Sequence, residues 1–276
     1  MIRLVTDSSA DLPSDLVDRH RIQVVPLTVR FGREEFVDGV DLSPHEFWNR
    51  LETSATLPET AAPSAGAFKE AYARLAGEGT DGVVVVTLSS DISGTYQAAV
   101  IGAEQSDVPV KVMDSRTTTV QLALQVLAGV DASEAGGTLD DVVRTVEQAR
   151  DHTKIVAALD TLEFLKRGGR IGGAAAFVGG LLDLKPLITF EDGVVAAAGR
   201  VRTRSKALTA LIDRVADVAE TIESLAVVHG SAPDVETVVE RLQRTLPNVT
   251  PLVAELGAVV GTHAGPGTIG VAYRAR

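Results

Sequence analysis

The chain has 276 residues, of which 45% are hydrophobic, so it is long enough to bury a sizeable core as one large domain or two ordinary ones. Its 26 Lys and Arg residues against 37 Asp and Glu residues give a formal charge of -11, which argues against general affinity for nucleic acid or for an anionic membrane. The absence of cysteine excludes disulfides and thiolate metal sites.

No stretch of the sequence has the pattern of a targeting or membrane segment. Residues 2–6 go straight into a strand pattern, without the basic region and apolar core of a signal peptide. The longest uncharged run, residues 256–273, is interrupted by Gly, Pro and His and is a poor membrane span. We therefore expect a cytoplasmic protein without stable membrane insertion.

The first half of the chain alternates strand and helix patterns. Strands are predicted at residues 2–6, 22–31, 83–86 and 108–113, and helices at 43–51, 65–76, 95–99 and 117–130 and from residue 138. Residues 56–64, with two prolines, are predicted as an ordered loop. Strands separated by helices imply βα units and a mainly parallel sheet with flanking helices. We predict an N-terminal α/β domain over residues 1–152.

The second half mixes helices with hairpins. Strands are predicted at residues 155–159, 225–228 and 271–273 and near 253, and a hairpin at 187–190 and 194–201 around Asp192 and Gly193. Helices are predicted at 162–171, 174–182, 206–222 and 234–246. We predict a second domain of the α/β or α+β class over residues 153–276, and hence a two-domain α/β protein.

The stretch after the buried strand at residues 83–86 is rich in hydroxyl groups. Ser89, Ser90, Ser93 and Thr95 surround a predicted helix start, and Gly94 lets a ligand approach the backbone. The first N–H groups of a helix have no intrahelical partner, so a carboxylate or phosphate fits there. A single hydroxyl that merely caps the helix is the other interpretation, and the local pattern does not decide between them.

The remaining motifs do not form an obvious catalytic or metal site. The sequence has no P-loop and no zinc-binding helix, and its five scattered histidines without cysteine predict no metal site. The glycines at 168–173 follow a helix, which is the wrong context for a nucleotide loop. His263 lies in a glycine-rich segment, predicted as a loop, where its imidazole either donates to an anion or is a plain surface group. Basic residues concentrate in the second half, at Lys166, Arg167, Arg170, Arg200, Arg202, Arg204 and Lys206.

Five motifs occur in the order that is seen in the DegV family. They are Asp7-Ser8-Ser9-Ala10-Asp11-Leu12-Pro13, Thr60-Ala61-Ala62-Pro63-Ser64, the segment from Ser89 to Ala99, residues 162–171 and Gly261-Thr262-His263-Ala264-Gly265-Pro266-Gly267. The sequence therefore resembles the DegV-type bacterial fatty-acid-binding proteins nearly end to end. The resemblance implies a two-domain fold that holds one long-chain fatty acid between its domains, with no catalytic residues and no cofactor besides this ligand. It also implies a partner, because some members present the fatty acid to a separate fatty acid kinase that makes acyl-phosphate.

The resemblance also implies roles for particular residues. Thr60 and Ser93 correspond to carboxylate ligands, Gly94 and Thr95 shape the turn, and Arg202 and His263 fall where the family has polar groups near the carboxylate exit. We expect Arg202 and His263 to serve the kinase more than the lipid. Two segments depart from the family pattern: Ala61-Ala62 replaces Ser-Gln in the headgroup loop, and Thr117-Thr118-Thr119 replaces a segment with glycines.

Two other functional classes remain open from the sequence. One is a hydrolase or transferase that acts on an acyl or phosphorylated substrate at the same hydroxyl cluster. No general base lies within that motif, so activation of a serine would need His263 from elsewhere in the chain. The other is a regulatory protein in which the lipid is a structural component.

Overall fold

The computed structural model describes residues 1–177 and 184–276. In that part of the chain the strands are β1 (Ile2–Asp7), β2 (Gln23–Val25), β3 (Thr28–Phe31), β4 (Glu34–Val37), β5 (Glu59–Ala61), β6 (Gly82–Thr87), β7 (Val110–Asp114), β8 (Thr153–Ala158), β9 (Lys185–Glu191), β10 (Val194–Val201), β11 (Ile222–His229), β12 (Leu252–Glu255) and β13 (Ile269–Ala275). The α-helices are α1 (Ser14–Arg19), α2 (Pro44–Thr53), α3 (Ala65–Gly77), α4 (Thr95–Ala103), α5 (Thr119–Glu134), α6 (Leu139–His152), α7 (Glu163–Arg167), α8 (Arg204–Ala216), α9 (Val235–Thr245) and α10 (Ala258–Ala264). Short 3-10 helices cover Ser8–Ala10, Gly172–Phe177 and Ala219–Thr221. None of the described helices has the length and apolar character needed to cross a membrane.

The first sheet has the strand order β2-β1-β6-β7, and every pair in it is parallel. All six residues of β6 are buried, because its valines are covered on both faces of the sheet. Phe68 and Tyr72 of α3 pack on one face, whereas Leu122 of α5 and Val142 of α6 pack on the other. The predicted parallel sheet with flanking helices is confirmed.

The second sheet has the order β10-β9-β8-β13-β11-β12 and is mixed, since only β11 and β12 pair in parallel. The predicted hairpin is present as β9 and β10. Its turn residues Asp192 and Gly193 have φ values of 48° and 83°, as the tight turn of a two-residue hairpin requires. The second half of the chain therefore combines helices with a mostly antiparallel sheet, within the predicted α/β or α+β class.

A small antiparallel sheet of order β4-β3-β5 carries part of the segment that was expected to be a loop. Thr60 of β5 pairs with Val29 of β3, so the prediction of a loop throughout residues 56–64 is wrong. A three-residue strand between prolines has no periodicity of its own, and its backbone pairing comes from a strand 31 positions earlier. The adjacent helix α2 begins with the predicted capping box of Ser43 and Glu46.

Helix α5 lies between the two large sheets. It packs against β1 and β6 of the first sheet and against β8, β11 and β13 of the second. Leu122 and Val126 belong to the core of the first sheet, whereas Val120 and Leu124 belong to a core shared with the second. The helix is therefore buried over most of its length, and its exposed residues, Asp131 and Glu134, lie in the last turn.

The strands of the first sheet precede residue 115 and those of the second follow residue 152. We propose the domain boundary between residues 152 and 153, where α6 ends and β8 begins. The strands of the small sheet β4-β3-β5 lie between β2 and β6 in the sequence, within the first of these two units.

Three further predicted elements differ from the structure. The helix predicted over 206–222 ends at Ala216, because Ile222 belongs to β11 and pairs there with Ala275. Of the helix predicted over 174–182, the described part lies in a 3-10 helix from Gly172 to Phe177, and residues 178–182 lie outside the described residues. The predicted loop around His263 is instead the short helix α10.

Candidate functional site

A largely aliphatic cavity lies between the two large sheets. Its empty space, counted with the open mouth, is about 1000 Å³. Aliphatic side chains from both halves of the chain form most of the wall: Leu27, Leu88, Ile92, Ile155, Ala157, Leu159, Leu165, Ile188, Val195, Val228, Leu256, Val259 and Val260. Phe190 is the one aromatic hydrocarbon side chain among the described lining residues. Such walls suit a thin, flexible hydrocarbon chain.

His263 and Thr60 form one polar part of the wall. Nε2 of His263 on α10 lies 2.9 Å from Oγ1 of Thr60 on β5, across 203 positions of sequence. Nδ1 of His263 is buried without a hydrogen-bond partner among the described residues, and a methyl group on Gly168 would collide with it. Burial, and to a smaller extent the charge of Arg170, lowers the pKa of His263 from 6.5 to about 4. The imidazole is therefore neutral at neutral pH, and it is held in place from two sides.

Ser93 and Gly94 form a second polar part of the wall, at the start of α4. Oγ of Ser93 lies 2.9 Å from Oγ1 of Thr95 and accepts a hydrogen bond from the Thr95 N–H at 3.3 Å. Gly94 occupies the position before the helix, and a Cβ there would meet nothing within 4 Å. Both Ser93 and Gly94 line the cavity, whereas Thr95 is fully buried behind them. A ligand can therefore approach the helix start closely at Gly94.

Arg170 joins these two polar parts, and the sequence reasoning did not select it as a site residue. Its Nε donates to the carbonyl of Ile92 at 3.2 Å and its Nη1 donates to the carbonyl of Gly168 at 2.8 Å. It lines the cavity and pairs with no acidic side chain of the described residues. Thr60, His263, Gly168, Arg170, Ile92 and Ser93 thus follow one another as neighbours around the polar part of the wall.

The structure brings together four of the six residues selected from the sequence. Thr60, Ser93, Gly94 and His263 line the cavity, and Thr95 supports Ser93 from behind. Arg202 does not line it: this side chain is exposed between the end of β10 and the start of α8. The sequence could have pointed to Arg170 through its place directly after Gly168-Gly169 in one of the five family-like motifs.

Ser93 and His263 are not arranged as a nucleophile and its general base. The hydrogen bonds of Ser93 go to Thr95, and the nearest partner of His263 is Thr60. A hydrolytic serine needs a base within hydrogen-bond reach, and here the two groups are engaged elsewhere. Among the described residues, no three His, Asp or Glu side chains are grouped so that they could hold a metal ion. The arrangement offers neutral donors and one guanidinium around an apolar cavity, which is suited to binding an amphipathic anion.

Comparison with known proteins places this chain in a described family. The family model for "uncharacterised protein, DegV family" matches residues 1–276. A DegV domain-containing protein of Streptomyces coelicolor is 39% identical, and the alignment covers 100% of this chain and 99% of the relative. One of Deinococcus radiodurans is 36% identical, over 98% of this chain and 97% of the relative.

Solved structures agree over the same length. A structure described as fatty acid binding of a DegV family protein from Thermus thermophilus has 36% identity and a TM-score of 0.90, and the match covers 100% of this chain and 99% of that one. DegV from Bacillus subtilis, described as a fatty acid binding protein, has 29% identity and a TM-score of 0.92 over the same shares. With the sequence motifs, the fold and the full-length matches all in agreement, this chain belongs to the DegV family.

Proposed function

We propose that this protein binds one long-chain fatty acid in the cavity between its sheets. The observation that carries the proposal is a mostly aliphatic wall in which Thr60, Ser93, Arg170 and His263 lie near one another. The other polar lining residues are four threonines, Thr118, Thr119, Thr189 and Thr268. In this proposal the carboxylate lies at Ser93, Gly94 and Thr60, near the Arg170 guanidinium, and the tail lies among the aliphatic side chains. The descriptions of the structures from Thermus thermophilus and Bacillus subtilis, which state fatty acid binding, support the assignment of ligand class.

The tail and the headgroup contribute differently to binding. Burial of roughly fifteen methylenes at about 0.8 kcal/mol each gives on the order of 10 kcal/mol before losses. Each hydrogen bond to a charged carboxylate adds only about 1.5–3 kcal/mol net. The tail therefore supplies most of the affinity, and the polar part of the wall fixes which end of the ligand lies there.

Native mass spectrometry of the purified protein tests this proposal directly. We expect one co-purifying ligand with the mass of a long-chain fatty acid, released when the protein is denatured. A protein that carries no lipid, takes up none from added fatty acid and instead hydrolyses acyl esters would support the enzyme interpretation and overturn the proposal.

Ser93→Ala is expected to weaken fatty-acid binding by about 1–3 kcal/mol, because it removes one hydrogen bond to a charged group and leaves the aliphatic wall intact. Thr60→Ala is expected to act in the same direction. Titration with a fluorescent fatty acid measures both changes. Ser90→Ala is the matched control, since Ser90 lies in the same segment but donates to Asp114 and does not line the cavity. Unchanged affinity for Ser93→Ala, or a fall only in the melting temperature of the empty protein, would assign Ser93 to capping.

We further propose that the bound fatty acid is presented to a separate fatty acid kinase. In that reaction a carboxylate oxygen takes the γ-phosphoryl group of ATP and ADP leaves, so the kinase supplies the chemistry and this protein supplies the acyl chain. Because the kinase needs ATP, we propose that the protein acts in the cytoplasm. Exposed basic side chains beside an otherwise acidic surface, Arg202 among them, offer a docking point for such a partner.

Arg202→Ala is expected to keep its fatty acid but to lower acyl-phosphate formation when a cognate kinase and ATP are supplied, because Arg202 is exposed and lies outside the cavity wall. His263→Ala is expected to differ. Its imidazole lines the cavity and contacts Thr60, so we now assign it to the ligand and expect lipid binding and phosphorylation to fall together. Both quantities are measured on the same sample, by mass spectrometry and by ADP release. Proportional loss of lipid and phosphorylation in Arg202→Ala would contradict its partner-facing role.

A further inference from the structure

The start of α10 is held by two buried carboxyl groups from the other half of the chain. Oδ1 of Asp11 accepts the N–H of Gly257 at 2.8 Å, and Oδ1 of Asp38 accepts the N–H of Ala258 at 3.1 Å. These contacts span 246 and 220 positions of sequence. Neither carboxylate pairs with a basic side chain of the described residues. One oxygen of each carboxyl group is thus directed at the same short segment of backbone.

The space around Gly257 shows how closely the two acids converge. A Cβ built on Gly257 would lie 3.0 Å from Oδ1 of Asp11 and 3.5 Å from Oδ1 of Asp38. A distance of 3.0 Å is tighter than most Cβ contacts in proteins, so the Asp11 carboxyl group would have to shift by a few tenths of an ångström to admit a side chain at residue 257. The carboxyl groups of Asp11 and Asp38 therefore crowd the position that a side chain at residue 257 would occupy.

The other end of the same helix forms the polar wall of the cavity. Val259, Val260 and His263 all line it, and α10 is only seven residues long, about 10 Å. Its intrahelical bonds include the N–H of Gly261 to the carbonyl of Gly257 at 2.8 Å. A displacement of the helix start is therefore transmitted to His263, because continuous helix of about one and a half turns joins the two.

A third buried aspartate makes an analogous contact on the opposite wall. Oδ2 of Asp7 accepts the N–H of Leu88 at 2.8 Å, and Leu88 both lines the cavity and precedes the Ser93 segment. The N–H of Asp38 in turn donates to the carbonyl of Leu27, another lining residue. Carboxylates from the first 38 residues thus hold backbone that borders the cavity at more than one place.

We propose that Asp11 and Asp38 are positioning residues that set the place of α10 and, through it, the orientation of His263 toward the fatty-acid carboxylate. They do not contact the ligand themselves, since neither lines the cavity. Asp11 and Asp38 each accept one backbone N–H, from Gly257 and Ala258. These buried acceptors fix the helix start more firmly than water does, because burial excludes the competing solvent. The expected effect on fatty-acid affinity rests on the proposed function. The expected effect on the position of His263 does not.

The experiment compares Asp38→Ala, Asp38→Asn and Asp41→Ala. Asp38→Ala removes the acceptor, Asp38→Asn keeps an oxygen for the Ala258 N–H, and Asp41→Ala is the control because Asp41 is exposed and its carboxylate bonds only within its own turn, to the N–H of Val37. We expect Asp38→Ala to lower the affinity for a fluorescent fatty acid about 10-fold and to shift the His263 ring signal in the NMR spectrum of ¹³C-histidine-labelled empty protein. Asp38→Asn is expected to restore both readouts, and Asp41→Ala to change neither.

A double-mutant cycle then isolates the bond itself. Ala258→Pro deletes the N–H donor at the first position of a helix, where proline is tolerated. If the bond positions α10, Asp38→Ala and Ala258→Pro combined lose no more affinity than the more severe single variant. Additive losses, or a folded Asp38→Ala with parental affinity and an unmoved His263 signal, would overturn the proposal. If the parent protein binds no fatty acid, the proposed function fails, and the His263 signal alone still decides the positioning role.

Discussion

Ala157→Trp is expected to abolish fatty-acid binding while leaving the fold intact. Ala157 lies near the end of β8 with its methyl group on the cavity wall, in the same cluster as Leu159 and Ile188. An indole at this position occupies space that the tail would need. Exclusion of about five methylenes at roughly 0.8 kcal/mol each amounts to about 4 kcal/mol, or close to a thousandfold in Kd.

A graded series makes this result easy to interpret. Ala157→Leu fills less of the cavity and is expected to have an intermediate affinity in the same fluorescence titration. Ala73→Trp is the matched control, because Ala73 is exposed on α3 and an indole there touches no part of the cavity. Circular dichroism and the melting temperature verify folding. Parental affinity in a folded Ala157→Trp would show that the tail does not lie in this cavity.

Asp11→Asn is expected to raise the free energy of unfolding at alkaline pH by a large amount. Burial of its carboxyl group raises the pKa of Asp11 from 3.8 to about 8, although hydrogen bonds from Thr119 and the Gly257 N–H act in the opposite direction. Between these two pH values the native protein binds a proton that the unfolded chain has lost, so the free energy of unfolding falls as the pH rises. This contribution is fully present below pH 4 and is lost as the pH passes through about 8.

The size of the effect follows from the shift. Each pKa unit is worth about 1.4 kcal/mol, so the parent loses on the order of 5 kcal/mol between pH 4 and pH 9 through this group. Asparagine has no proton to lose and keeps an oxygen for the Gly257 N–H, so its variant is expected to escape that loss. Urea unfolding at pH 4, 6, 8 and 9 measures the difference. Burial also raises the pKa values of Asp7 and Asp38 to about 6. Because both groups remain in the variant, its free energy of unfolding is still expected to fall somewhat as the pH rises.

Asp15→Asn serves as the comparison, because that carboxylate is exposed on α1 and its side chain is 68% accessible. Its stability curve is expected to run parallel to that of the parent. If the difference in unfolding free energy between Asp11→Asn and the parent stays constant from pH 4 to pH 9, the carboxyl group of Asp11 does not titrate in that range, and the account of this buried acid is wrong.

The architecture could be read from the sequence wherever burial leaves a periodic or continuous pattern. The four valines of β6 specify a strand covered on both faces, and the Asp192-Gly193 pair specifies a tight hairpin. The capping box at Ser43 marks the start of α2 to the residue. These signals depend only on neighbouring residues, so the elements can be predicted from the sequence alone.

The parts that were missed depend on distant partners. Glycines at 257, 261 and 265 argue against a helix, yet α10 forms because Gly261 lets it pack directly on Phe47 and Trp48, where any side chain would collide. Arg170 becomes a site residue only because its Nε reaches the carbonyl of Ile92, 78 positions earlier. Neither contact has a local signature, which explains why His263 was expected in a loop.

The placement of α5 between the sheets bears on how the ligand exchanges with solvent. If the two sheets parted to release a bound molecule, Val120 and Leu124 would lose their shared core with Val228 and Ala272. Exposure of fully buried aliphatic side chains costs about 1.5–3 kcal/mol each, so separation along this plane would be populated only rarely. An opening between the short elements β5 and α10 would cost less, because one side-chain hydrogen bond, between Thr60 and His263, links them among the described residues. The rate at which β5 and α10 separate would then limit uptake and release of the ligand. Helix α5 would stay packed against both sheets throughout.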